Sequence, residues 1–151
     1  MSLRLPIPPP QTHPEERERL PAFPRGGPED RLDRARAYRK AAAAHVDALH
    51  RRSTSGLSIC RLIAECLDRL VRGLFEELSA QMRPPPGLAL AALGGYGRRE
   101  TAPHSDVDLL LLRPPSAREE AVRPFAKAFN TLLWDCKLVV GWSVRTPSEC
   151  A

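Results

Sequence analysis

The chain reads as an α+β (α/β) domain in which an N-terminal helical pair, residues 29–83, precedes a small mixed sheet flanked by helices, residues 84–151. Three observations predict this. Ile59, Ile63, Leu67, Leu70, Leu74 and Leu78 recur at helical spacing and form the strongest periodic stripe in the sequence. Two apolar runs, LALAAL at 88–93 and VDLLLL at 107–112, are too short for buried helices and suit central strands covered on both sides. Breakers close both runs, Gly94-Gly95 after the first and RPPS after the second.

Eight of the sixteen prolines fall within residues 1–28, a segment with almost no apolar periodicity. That composition describes an extended, disordered arm, so folding is expected to begin near Glu29. Leu32, Ala35, Ala42, Val46 and Leu49 then mark a weak helical stripe across 28–52. RRSTSGLS interrupts it, with Gly56 in the turn and Ser58 as the expected cap of the second helix. A short turn between two helices predicts an antiparallel pair.

RPPPG at 83–87 stops the second helix, because consecutive prolines supply no amide donors. A short helix is expected to open near Tyr96, between the two strands. Beyond the second strand, Ser116 is the expected cap of another helix, with Ala121, Phe125, Ala128, Phe129, Leu132 and Leu133 on one face. KLVVGWSV at 137–144 supplies a final strand, and the order of elements gives the mixed class.

A net charge of +5 leaves anionic partners electrostatically open. No block of five or six like charges occurs, however, and arginines alternate with acids as on a solvated helix face, which argues against nucleic acid as a partner. No apolar stretch nears the roughly 18 residues of a membrane span, and the amino terminus lacks a signal pattern, so the expectation is a cytoplasmic protein without membrane contact. Cys60, Cys66, Cys136 and Cys150 form no C-x-x-C pair and read as reduced packing residues.

Chemistry concentrates in GGYGRRETAPHSDVDLLLL, residues 94–112. Side chains two apart on a strand share a face, so Asp106 and Asp108 present their carboxylates together. Like charges so placed repel unless a cation lies between them, and Mg2+, a hard ion that takes oxygen ligands from carboxylates, phosphates and water, suits the pair. Gly94-Gly95 allows a sharp bend and close approach of a phosphate, with Arg98 or Arg99 available to neutralise charge. Parallel or antiparallel pairing of the two strands would bring both halves together, and the sequence leaves that register open.

GGYGRRE at 94–100, APHSDVDLLLL at 102–112, and LLWD with VGWSVRTPSEC between 132 and 150 resemble the DNA polymerase β-like nucleotidyltransferase superfamily. Within it they are most similar to the uridylyltransferase/uridylyl-removing enzymes of the PII signal protein. The resemblance covers residues 29 to the end. It implies transfer of UMP from UTP to a tyrosine of PII in nitrogen regulation, with Mg2+ as cofactor. Carried over, Asp106 and Asp108 would be catalytic and bind the metal, while Gly94, Gly95, Arg98 and Ser105 would bind the nucleotide.

Two departures accompany the match. Trp142 stands where the family tends to have histidine, and the final strand contains no acid, although the superfamily uses a third carboxylate on a neighbouring strand. Such enzymes run to several hundred residues, so a truncated N-terminal portion is expected. The alternatives are a stand-alone small nucleotidyltransferase with another nucleotide or acceptor, and a non-catalytic nucleotide-binding or interaction module.

Overall fold

In the computed structural model, residues 20–52 and 55–150 are described. Residues 1–19 of the expected arm lie outside them. Contrary to a folded part starting at Glu29, Leu20 and Phe23 are already packed on the helices. Leu20 is buried, and Phe23 meets Tyr38 edge-on at 5.6 Å between centroids. Gly73 makes room for the Phe23 ring, which a Cβ at that position would strike. Local composition gave no sign of this docking, because its apolar partners are remote in sequence.

The first helix, α1 (Arg31–Arg51), and the second, α2 (Gly56–Met82), form the expected antiparallel pair. Tyr38 donates its hydroxyl to the Cys66 carbonyl at 3.1 Å, while Arg31 and Arg34 at the start of α1 both bind Glu77 near the end of α2. Arg34 also donates to the carbonyls of Pro24 and Gly27, fastening the arm. Burial disfavours the charged Glu77 carboxylate, yet the hydrogen bonds from Arg34 and Arg31 outweigh it and hold the carboxyl below its ordinary range. The cap of α2 is Ser55 rather than Ser58. Its hydroxyl oxygen accepts the Ser58 amide at 3.3 Å, so Ser58 is the capped residue.

Three strands make one mixed sheet in the order β1 (Ala89–Ala92), β2 (Val107–Leu112), β3 (Val140–Arg145). β1 runs antiparallel to β2 with Ala92 opposite Leu109, and β3 runs parallel to it with Asp108 opposite Gly141. A four-residue helix, α3 (Gly94–Gly97), follows β1, and α4 (Glu119–Asp135) connects β2 to β3. No side-chain cap bond forms at the start of α4, so Ser116 does not play its expected part.

The core lies between the sheet and α2 with α4. Phe75 of α2 packs edge-on against Phe125 and Phe129 of α4, each at 5.4 Å. Val107, Leu109 and Leu111 alternate into this core, which leaves Asp108 on the opposite face of β2. β2 is central, as its unbroken apolar run suggests. β1 is an edge strand with exposed first and last residues, so it does not fit the expectation of cover on both sides. Its alanines expose little apolar surface, which makes that edge position inexpensive.

Candidate active site

The turn after β1 is built around glycine by direct steric demand. Gly94 has φ +56°, the left-handed region that costs a side-chain-bearing residue free energy. A Cβ on Gly94 would stand 2.6 Å from Asp108 Oδ2, and one on Gly97 would stand 2.6 Å from the Ala92 carbonyl oxygen. Across the other edge of β2, a Cβ on Gly141 would collide with Asp108 Oδ1. The Asp108 carboxylate therefore lies across the strands with one oxygen towards each neighbouring backbone. The Leu93 amide donates to the Asp108 carbonyl at 2.9 Å and closes the turn onto β2. Antiparallel pairing is the register that joins the glycine turn to the Asp-x-Asp pair.

Asp106 stands one residue before β2 and is exposed, with Ser105 exposed beside it. The parallel register sets Asp106 next to Val139, since the Val107 amide donates to the Val139 carbonyl at 2.8 Å. Val139, one residue before β3, is 56% exposed, and Gly141 of β3 stands opposite Asp108. Among the described residues no three His, Cys, Asp or Glu side chains group so as to hold a metal. Asp106 and Asp108 supply carboxylate oxygens, hard donors of the kind Mg2+ takes with water or phosphate in its remaining shell.

Gly95 differs from its neighbours. A Cβ there would come no nearer than 3.8 Å to the Glu100 carbonyl oxygen, so the packing of the chain itself does not require glycine. Arg98 is exposed and paired with Glu100 at 2.8 Å, a solvated pair of small net energy that an incoming anion can displace. Ser105 follows a turn in which its amide donates to the Ala102 carbonyl, and His104 has φ +67°.

Sequence reasoning missed a second layer beneath the turn. Tyr96, 4% exposed, donates its hydroxyl to Asp68 Oδ1 on α2 at 2.9 Å. Arg99, at φ +62°, donates to Asp68 Oδ2 at 2.5 Å and to Glu65 Oε2 at 3.2 Å. Burial, with the charge and hydrogen bond of Asp68, pushes the Tyr96 phenol well above its usual range, so it stays protonated as a donor. For Arg99, burial lowers the pKa, but the Asp68 hydrogen bond and the charges of Asp68 and Glu65 more than restore it. Of the two adjacent arginines, Arg99 is committed to the fold and Arg98 faces solvent. The available signal was the pair of acids Glu65 and Asp68, one helical turn apart on α2.

Comparison with known families places the chain. Residues 40–139 match the model of the DUF294 nucleotidyltransferase family. The chain belongs to that family. It is 42% identical over 118 residues to the bifunctional uridylyltransferase/uridylyl-removing enzyme of Pseudomonas putida strain W619. It is 40% identical over 118 residues to the enzyme of that name from Pseudomonas aeruginosa strain LESB58, and 42% over 118 residues to that of Pseudomonas fluorescens strain SBW25. Each alignment takes in 76% of this chain and 13% of the relative, so this DUF294 chain spans a small part of the length of those enzymes. No solved structure matches it. Among the described residues, no helix is long and apolar enough to cross a membrane.

Proposed function

We propose that this DUF294 chain carries the nucleotide- and metal-binding part of a uridylyltransferase, which transfers UMP from UTP to a tyrosine of the PII signal protein in cytoplasmic nitrogen regulation. The observation that supports this best is the Asp108 carboxylate lying between two Cβ-free backbone positions, Gly94 and Gly141, with exposed Asp106 beside it. Asp106 and Asp108 would hold Mg2+, which when bound polarises a phosphoryl oxygen and offsets charge developing on the leaving pyrophosphate. Gly94 and Gly95 border the triphosphate. Gly94 is required by its own backbone, whereas Gly95, where a Cβ would meet no atom closer than 3.8 Å, suits a phosphate drawn close to the main chain. Arg98 exchanges Glu100 for a phosphate oxygen, and Ser105 offers a hydroxyl next to the metal carboxylates.

Titration calorimetry with Mg-UTP tests this reading. Wild type is expected to bind, and Asp106→Asn combined with Asp108→Asn is expected to abolish binding; equal heats from both proteins would remove the metal site. One observation favours a second reading, a nucleotide-binding module that does not catalyse. Gly141 of β3 stands opposite Asp108, and Val139, one residue before β3, lies next to Asp106; neither can complete a three-carboxylate centre. Binding of Mg-UTP without transfer to PII, under conditions where a full-length relative transfers, would select it.

A further inference from the structure

We infer that Asp68, 28 residues before Tyr96 and on a different element, is the positioning residue that fixes the glycine turn over the Asp-x-Asp pair. The turn has little means of holding itself. Three of the four residues of α3 are glycine, the residue that loses most backbone entropy on ordering, and a single helical turn gains too few hydrogen bonds to offset its nucleation. Its internal bonds are few: Gly97 to the Leu93 carbonyl at 2.7 Å, Arg98 to Gly94 at 3.2 Å, Arg99 to Tyr96 at 3.0 Å and Glu100 to Gly95 at 2.8 Å. On one side it hangs from β2 through the Leu93 amide. On the other, its only non-glycine side chain is Tyr96, whose buried hydroxyl must find a partner and finds Asp68.

Arg99 completes the clamp. Its left-handed backbone is unusual for an arginine, and strained conformations of this kind persist only where the surroundings over-determine them. Here the surroundings are Asp68 and Glu65, both bound by the same Arg99 nitrogen, Nη2. Asp68 therefore uses one oxygen for the middle of the turn and the other for its exit. A carboxylate accepts both; an amide in its place presents one oxygen and one donor, and the donor faces either a phenol or a guanidinium hydrogen. Since α2 also carries the core residues Val71, Leu74 and Leu78, the clamp ties the site to a helix anchored in the core.

The catalytic consequence rests on the function proposed above, while the positional claim does not, and two measurements separate them. Amide hydrogen exchange read by NMR is expected to quicken about tenfold or more at Gly97, Arg98 and Glu100 in Asp68→Asn, the scale set by losing a charge-assisted hydrogen bond, with the amides of Leu70 and Leu74 unchanged. Tyr96→Phe, which removes one of the two links and leaves the ring in place, is expected to give a smaller change at the same three amides. Unchanged exchange at those amides in both variants overturns the inference. Mg-UTP affinity is expected to fall alongside in Asp68→Asn and to be partly regained in Asp68→Glu. If wild type binds and Asp68→Asn binds equally well, the catalytic consequence is overturned. If wild type itself fails to bind, the proposed function falls, and the exchange data still decide the role of Asp68.

Discussion

The helical pair and the glycine end of the sheet are held by different kinds of force. α1 and α2 meet through many apolar side chains, among them Ala35, Leu62, Leu70 and Leu74, each contributing a share of area removed from water. At the glycine end, single atoms decide. One carboxylate occupies the space that two side chains would fill, and one phenol and one guanidinium share one aspartate. A packed stripe loses stability by degrees as volume is removed, whereas an excluded Cβ admits one residue type. Stability and site geometry should therefore respond to different substitutions.

The largest effect on folding is expected in the stripe. Leu74 is fully buried, and Leu74→Ala should cost about 2–5 kcal/mol, combining lost transfer free energy with the cavity left behind. Urea unfolding measures this, and Mg-UTP affinity per folded molecule should stay at the wild-type value. A folded Leu74→Ala protein with lost affinity would break the comparison, because the helical pair would then be shaping the site directly.

Gly94→Ala is expected to invert the pattern. A left-handed backbone at a non-glycine residue costs on the order of 1–3 kcal/mol, and the new Cβ must displace Asp108 Oδ2. Stability should fall less than in Leu74→Ala, yet Mg-UTP binding should vanish from calorimetry. Gly95→Ala sharpens the point, since its Cβ makes no close contact in the free protein, the Glu100 carbonyl oxygen lying 3.8 Å away. It should leave the melting temperature within a degree or two of wild type while weakening nucleotide binding.

Much of this was legible in the sequence, for identifiable reasons. The stripe from Ile59 to Leu78 has a period that only a helix satisfies, and VDLLLL followed by RPPS leaves little choice but a buried strand. Asp106 and Asp108 stand out in the sequence because a two-residue spacing has one geometric meaning in a strand, although the strand itself begins only at Val107. What escaped depends on partners distant in the chain. Gly141 reads as an ordinary strand glycine until the parallel register sets it against Asp108. Asp68 reads as a solvated helix charge until Tyr96 and Arg99, 28 and 31 residues later, close on it. Residues 20–27 read as arm because the groove that takes Phe23 is formed by Tyr38 and Gly73. Periodicity reports which way a residue faces; it carries no information about what the fold brings opposite.

The smallest expected effect on folding, and the sharpest on the site, belongs to Val139. Its side chain is 56% exposed, so replacing it removes little buried area, and Val139→Asp should alter stability by less than about 1 kcal/mol at high ionic strength. The parallel register places the new carboxylate beside Asp106, where three like charges repel without a cation, so the melting temperature at low salt without magnesium should fall slightly. With magnesium the sign reverses. A third oxygen donor raises the charge count of the site, and affinity should rise on the order of tenfold, seen as a larger magnesium-dependent increase in melting temperature than wild type shows. An identical magnesium response in Val139→Asp and wild type would mean that the face shared by Asp106, Asp108 and residue 139 is not where the ion binds, and the glycine end would then owe its steric exactness to something other than metal chemistry.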